Sequence, residues 1–355
     1  MKRKLFAAVV LNTCAVAAYA QSNVTVYGLI DTGVEYTNNA NAKKDGVVRL
    51  SSGAMNTSRF GFRGAEDLGG GLKAIFQLES GFKVDTGEFD SAGVLFGRQA
   101  NVGLEGPFGR IVAGRSYTTT YDFILPFDLM GYSGQYSWVT SGNATGGRKD
   151  GMITNAPNII KYQGTFGGVK LGATYGFGEV AGNTSDSAKY ALGAGYVIGP
   201  VSLAAAFDRS NGAAVPAFRN DYDKATSIHL AGLYQMSENW KFNLGYRNYK
   251  KTLASHAADL RSDMFWGGAS YRVTPLWTLI GQVYYQDIKN VPNGKDADPI
   301  MVSARAKYAL SKRTDLYLSA AYAKAKNNQL VGVSRDDTGF GNSQTGVIGG
   351  IQHRF

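Results

Sequence analysis

Alternation with period two, repeated along nearly the whole chain, constrains the fold more than any other feature. Val169, Leu171, Ala173, Tyr175 and Phe177 alternate with Lys170, Gly172, Thr174 and Gly176. Trp240, Phe242, Leu244 and Tyr246 alternate with Lys241, Asn243, Gly245 and Arg247. Leu316, Leu318, Ala320 and Tyr322 alternate with Asp315, Tyr317 and Ser319. Such spacing is that of a strand with one apolar and one polar or glycine face. Sixteen segments carry it: 24–37, 47–64, 72–83, 93–104, 110–117, 157–164, 169–178, 188–198, 201–210, 225–235, 240–250, 262–273, 276–288, 300–310, 314–325 and 346–355. The longest apolar run, Ala191 to Phe207, is cut by Gly199-Pro200, so no apolar stretch is long enough for a spanning helix.

The connections alternate in length. Turns such as Gly167-Gly168, Gly199-Pro200 and Thr274-Pro275 are short. The intervening ones are longer and polar, and Thr118–Ala156 is the longest. An even number of strands, with short turns at one end and long loops at the other, predicts an all-β, sixteen-stranded antiparallel transmembrane barrel. In hydrocarbon every backbone N–H and C=O must be paired, so a sheet there must close. The competing architecture is a soluble β-sandwich, but sixteen strands with one apolar face each would overfill its core.

The first twenty residues read as a targeting segment. Lys2-Arg3-Lys4 precedes a short apolar run, and Ala18-Tyr19-Ala20 is an A-x-A cleavage pattern. Residues 1–20 are therefore expected to be a signal peptide, with 21–355 forming the barrel domain. The run is too short for an anchor, and Asn12-Thr13 fits poorly before a lipidated Cys14. Cys14 is the only cysteine, so the exported chain is expected to have no disulfide and no thiolate metal site. The whole chain carries 37 Lys+Arg and 27 Asp+Glu. Without the leader, 34 basic residues stand against 27 acidic ones, or +7.

The polar face should line an aqueous lumen, since sixteen strands leave a channel rather than a packed interior. Inward glycines such as Gly193 and Gly195 suit an open passage. Trp240, Trp277, Tyr308 and Phe355 at strand ends suit an interfacial girdle. The 118–156 loop carries Tyr121, Phe123, Phe127, Tyr132, Tyr136 and Trp138, a composition that favours packing inside the barrel over disorder. Asp122 and Asp128 would then face the pore. Parity puts Arg49, Arg59 and Arg63 on one face, opposite Leu50, Phe60 and Phe62. Asp31, Glu35 and Glu79 should share the lumen. On the fourth segment Gln99, Asn101 and Gly103 fall on the face opposite Arg98, and on the fifth Val112, Gly114 and Ser116 are small. Such an outward face is costly in lipid and suits contact with another subunit.

Catalytic patterns are thin. His229, His256 and His353 sit in no distinctive motif, and no phosphate-binding loop or metal-spaced cluster occurs. No enzymatic activity, cofactor, metal or nucleic-acid partner is expected.

The sequence resembles the Gram-negative general diffusion porins, nearest their beta-proteobacterial branch. The resemblance rests on Val24-Thr25-Val26-Tyr27-Gly28-Leu29-Ile30-Asp31 and on the stretch from Ser58-Arg59-Phe60-Gly61-Phe62-Arg63-Gly64 to Leu72-Lys73-Ala74. It rests also on Phe96-Gly97-Arg98-Gln99-Ala100, Ala113-Gly114-Arg115-Ser116-Tyr117 and the terminal Gly350-Ile351-Gln352-His353-Arg354-Phe355. It implies a homotrimer in outer-membrane lipid and lipopolysaccharide, with the third loop in each lumen. It implies inward, constriction-lining roles for Arg98 and Arg115 beside Arg59, and a terminal Phe355 read by the barrel-assembly machinery. The function it implies is a water-filled channel for ions and small hydrophilic solutes, mildly anion-preferring; the alternative is a solute-specific channel with an aromatic and arginine track. Relatives in the enterobacterial branch carry a Pro-Glu-Phe-Gly segment in the third loop; the comparable stretch here, Ile124-Leu125-Pro126-Phe127-Asp128-Leu129-Met130-Gly131, lacks the glutamate and leaves open whether Asp128 stands in its place.

Overall fold

The computed structural model describes residues 23–140, 150–335 and 339–355. The leader expected at 1–20, the start expected at Gln21, and 141–149 of the third loop lie outside the described residues. Almost everything described is antiparallel sheet. The strands are β1 (Asn23–Thr37), β2 (Val47–Ser52), β3 (Arg59–Gly69), β4 (Leu72–Gly81), β5 (Gln99–Gly106), β6 (Gly109–Tyr117), β7 (Asn155–Phe166), β8 (Val169–Gly176) and β9 (Lys189–Ile198). There follow β10 (Val201–Asn211), β11 (Lys224–Gln235), β12 (Trp240–Thr252), β13 (Leu260–Arg272), β14 (Trp277–Lys289), β15 (Ile300–Ala309), β16 (Thr314–Lys324) and β17 (Ser343–Arg354). From β3 to β17 each strand pairs with the next, β2 and β3 both pair with β1, and β17 pairs back onto β1, from Leu29↔Arg354 to Thr37↔Gly346. The sheet is therefore closed and has no edge.

Seventeen strands fill sixteen places in the wall. The segment expected as one strand over 47–64 is broken, because β2 pairs with the second half of β1 and β3 with its first half. Residues 53–58 leave the sheet between them. Gly53 turns the chain at φ 68°. The freed amides find a partner in Asp31, whose carboxylate accepts from Met55 N (3.4 Å) and Asn56 N (3.1 Å). Asp31 also accepts from the Tyr317 hydroxyl (2.8 Å) and Gln352 Nε2 (2.9 Å). A carboxylate on β1 thus satisfies backbone donors that an interrupted ladder would orphan. The expectation of a lumen-facing Asp31 is corrected, since it is fully enclosed.

A second boundary also moves. Residues 93–98 form turns, and the fifth strand begins at Gln99. Counting parity back from Arg98 therefore fails. Gln99 is in register with the inward Glu79, and Asn101 with Gly114. Ser116 Oγ donates to Gln99 Oε1 (3.3 Å), and Asn101 Nδ2 to the Arg115 carbonyl (3.0 Å). The face turned outward is Val102, Leu104 and Ile111, all exposed and apolar. The polar outward patch read from sequence does not exist, and the subunit-contact argument built on it falls.

Burial is inverted relative to a soluble protein. Leu244 (72% exposed), Val48 (69%) and Val26 (60%) lie on the outer surface, whereas Gln282, Gln286, Arg247 and Ser303 are enclosed. That is the order expected when the outer solvent is hydrocarbon. Trp240 stacks on Tyr271 (4.4 Å) and Trp277 lies against Tyr308 (4.8 Å), both at the short-turn end.

Candidate functional site

The third loop, 118–154, begins with the short helix α1 (Thr119–Ile124) and a 3₁₀ turn at 125–127. Thr118 caps the helix, its Oγ1 accepting from Tyr121 N (3.2 Å). The helix lies flat on β8 and β9 because the wall has no side chains there. A Cβ on Gly172 would come within 2.7 Å of Phe123, and one on Gly193 within 2.8 Å of Phe123 and Thr119. These two glycines are register partners. Their role differs from the open passage expected of inward glycine: they seat the helix. Thr119 N adds a bond to Thr174 Oγ1 (3.1 Å).

Beyond the helix the loop is held by inward side chains of β12 to β15. Asn243 Nδ2 (2.6 Å) and Trp266 Nε1 (2.8 Å) both donate to the Phe127 carbonyl. Arg305 Nη1 donates to the Met130 carbonyl (3.2 Å) and its Nη2 to Ser133 Oγ (3.1 Å). Arg247 Nη1 donates to the Val139 carbonyl (2.8 Å) and its Nη2 to that of Asp150 (3.1 Å). The Asp150 carboxylate accepts from Ser262 and from Gln286 Nε2 (2.7 Å). Phe123, Phe127, Met130, Tyr136, Trp138 and Val139 complete an apolar cluster with Trp266, Tyr284, Met301 and Ile348. The loop also meets the 53–58 excursion, where Ser133 Oγ donates to the Ala54 carbonyl (3.0 Å).

Asp128 belongs to this attachment. Its carboxylate accepts from Ser137 Oγ (2.7 Å), Tyr132 N (2.9 Å), the Tyr284 hydroxyl (2.9 Å) and Met130 N (3.1 Å). Burial pushes its carboxyl above the usual carboxylate range, and these hydrogen bonds oppose that rise. The sequence expectation of a pore-facing Asp128 is corrected: all of its acceptor capacity is spent on fixing the loop.

What the loop leaves open is a cavity of about 510 Å³ against the opposite wall. Arg59 of β3 and Arg98 before β5 line it, as do Asp90, Tyr117, Tyr121, Tyr132, Asp208 and Arg335. Glu79 of β4 ties the two wall arginines together, at 2.8 Å from Arg98 Nε and 4.0 Å from Arg59 Nε. The Tyr27 hydroxyl (2.9 Å) and the Tyr117 hydroxyl (3.2 Å) donate to the same carboxylate. The Arg98 guanidinium lies 5.5 Å from the Tyr117 ring centroid, and Tyr117 stacks on Tyr121 at 4.4 Å. Arg335 enters from the eighth loop, its N–H bonded to the Gly134 carbonyl (3.2 Å). Among the described residues, three guanidiniums therefore face one cavity with two carboxylates in its lining.

The other sequence-predicted residues lie elsewhere. Arg115 does not line the cavity; its Nη1 donates to the Gly97 carbonyl (3.3 Å) and it pairs in register with Ala100. The constriction role that the resemblance implies for Arg115 falls where β6 shifts register, between Gly114 and Ser116. Arg49 pairs with Glu35 (2.7 Å) and lines a separate hollow under the first and eighth loops. Arg63 is exposed over the Tyr27 ring at 5.2 Å, toward the short-turn end. Asp122 pairs with Lys161 and lines a smaller chamber of about 170 Å³ with Gln77, Gln99 and Arg110. His229 is fully enclosed behind the loop. Arg335 escaped sequence reasoning because an arginine in a long polar loop carries no periodic signal.

A family model described as Gram-negative porin matches residues 7–328. An outer membrane porin protein of Delftia acidovorans is 33% identical over 374 residues, covering 100% of each chain. An outer membrane porin protein of Bordetella pertussis is 29% identical over 410 residues, again covering 100% of each. Among solved structures, an anion-selective porin from Comamonas acidovorans superposes with a TM-score of 0.81 at 29% identity, covering 94% of this chain and 100% of that one.

Proposed function

From the premise that this chain belongs to the Gram-negative porin family, we propose that the cavity between the third loop and the Arg59–Arg98 wall is the selective passage of an outer-membrane diffusion channel. The observation that carries this reading is the convergence of Arg59, Arg98 and Arg335 on one confined cavity. Confined charge with low-dielectric walls raises the local concentration of counter-ions, so the channel favours anions mildly. Asp90, Asp208 and Glu79 match the three guanidiniums in number, but Asp208 and Glu79 are only 2% and 4% exposed, so less of their charge meets the passage than that of Arg59. The likeness to an anion-selective porin from Comamonas acidovorans supports the sign. Solutes pass by diffusion with no chemical step, and the welded third loop sets the size limit.

Residues 1–20 are proposed as a cleaved leader and 21–355 as the barrel. The barrel is proposed to work as a homotrimer, embedded among outer-membrane lipids and lipopolysaccharide. Phe355 exchanges backbone hydrogen bonds with Gly28 (3.0 and 3.1 Å) and is exposed on the outer surface. That position suits a terminal aromatic read by the assembly machinery before the barrel closes.

The zero-current potential across a KCl gradient at low salt tests the selectivity reading. The wild type should favour chloride, and Arg59→Ser/Arg98→Ser should move the potential toward potassium. Preference should fade near 1 M salt, where the Debye length falls to about 3 Å. A cation-selective wild type would sink the assignment.

A further inference from the structure

The outer surface carries a row of cations near the long-loop ends of the strands. Arg209, Lys250, Arg261 and Lys289 lie on one line of register partners running across β10 to β14, all on the outward alternation. Three of the four are neutralised. Lys250 (3.1 Å) and Arg261 (3.3 Å) share Asp259, and Lys289 pairs with Asp263 (2.7 Å) and Asp287 (3.3 Å). Arg209 differs. Its Nε donates to Asn211 Oδ1 (3.1 Å), and no carboxylate lies within ion-pair distance of it among the described residues.

Arg209 stands at the rim of an outward cleft of about 700 Å³. Leu192 and Phe207 line its lower part and Tyr175, Tyr190 and Tyr222 its upper part, and among the described residues no acidic one lines it. Lys224 is in register with Asn211 on the same outward face, its Nζ 5.0 Å from the Tyr222 ring. The acids of the flanking loops are engaged elsewhere: Asp223 with Lys251 (2.7 Å), Asp221 with His256 (3.2 Å) and Asp186 with Ser187 and the Ala214 amide. The cleft thus joins apolar wall, an aromatic belt at the membrane interface and two cations without counter-ions. A guanidinium binds phosphate through a fork of two N–H groups, and more strongly where apolar walls exclude water.

We propose that this cleft on β8 to β11 binds a phosphorylated lipid of the surrounding leaflet. The phosphate lies on the Arg209 guanidinium and the Lys224 ammonium, and the first acyl segment lies on Leu192 and Phe207. The proposal rests on the outer-membrane placement of the barrel and is independent of what crosses the lumen.

Native mass spectrometry of the full barrel reads lipid retention directly. The protein is reconstituted in phosphatidylcholine vesicles containing diphosphoryl lipid A or its dephosphorylated form, then released into mild detergent. Wild type should retain the phosphorylated form selectively. Arg209→Ala/Lys224→Ala should retain about thirtyfold less, the loss expected for two cations at a membrane surface. Leu192→Trp, which fills the cleft and keeps both charges, should also lower retention. Heat-modifiable migration on gels checks folding; should the double variant not fold, Arg209→Lys, which keeps the charge but not the fork, should still lower retention. Added inorganic phosphate should not displace the lipid. Equal retention by wild type and the cleft variants, equal retention of the two lipid forms, or a Tyr222→Cys cross-link to a second copy of the chain overturns the proposal. None of these results bears on the zero-current potential, so its failure is separable from failure of the channel reading.

Discussion

Two arginine pairs face the lumen from opposite walls and do different things. Arg59 and Arg98 stand on the β3–β5 side, linked through Glu79, with side chains 26% and 11% exposed to the cavity. Arg247 and Arg305 stand on the β12–β15 side, enclosed, with their guanidiniums spent on carbonyls and a hydroxyl of the third loop. Residue type and the inward direction are the same in both pairs. What differs is what lies across from them: an open cavity in one case, a run of backbone carbonyls in the other. An inward arginine in a barrel is therefore a selectivity residue only when no chain segment takes up its donors.

The largest effect should follow from breaking the far wall. Arg247→Ala with Arg305→Ala leaves the Val139, Asp150 and Met130 carbonyls without donors, and three buried carbonyls left unsatisfied at about 1–3 kcal/mol each cost several kcal/mol together. That is a large part of the roughly 5–15 kcal/mol that holds a fold together. The loop should detach, raising single-channel conductance and admitting larger solutes, while the closed sheet stays intact on heat-modifiability gels. Unchanged conductance would mean that apolar packing alone holds the loop.

Next in size is the seat of the helix. Gly193→Ala brings a methyl group to about the Phe123 and Thr119 carbons, an overpacking that typically costs about 1–3 kcal/mol. The helix should lift off β9, seen as noisier conductance and faster protease cleavage within the third loop. Wild-type noise in this variant would show that the wall yields instead.

Glu79→Gln sharpens the near wall. It removes the one carboxylate that binds both Arg59 and Arg98, so the zero-current potential should move further toward chloride. The shift should be smaller than the opposite one caused by losing both arginines, because one charge changes instead of two. A shift toward potassium would show that the clamp matters by positioning the guanidiniums rather than by cancelling them.

The smallest effect separates cavity lining from mere proximity. Arg115→Ser should leave the potential nearly unchanged, since Arg115 binds the Gly97 carbonyl and does not line the cavity. A shift as large as that of Arg98→Ser would return Arg115 to the passage.

Periodicity in the sequence determined the closed antiparallel wall, its sixteen places and which residues meet lipid. Alternation is a local property that the pleat turns directly into two faces. It could also pick out Arg59, which opens a regular strand, whereas Arg98, in the turn before β5, is legible only through the family resemblance. It misjudged the places where the ladder is interrupted. The excursion at 53–58 depends on Asp31, more than twenty residues away, offering its oxygens to loose amides. The turn at 93–98 and the register shift near Gly114 each reset the parity that counting assumes. Asp128 and Asp122 look alike in the loop sequence, yet one is enclosed by Ser137, Tyr132 and Tyr284 and the other pairs with Lys161. Those outcomes, like the recruitment of Arg335 and the division of labour among the arginines, belong to the tertiary structure. A side chain's charge is written in the sequence, but its work is set by which groups the fold brings within hydrogen-bonding distance.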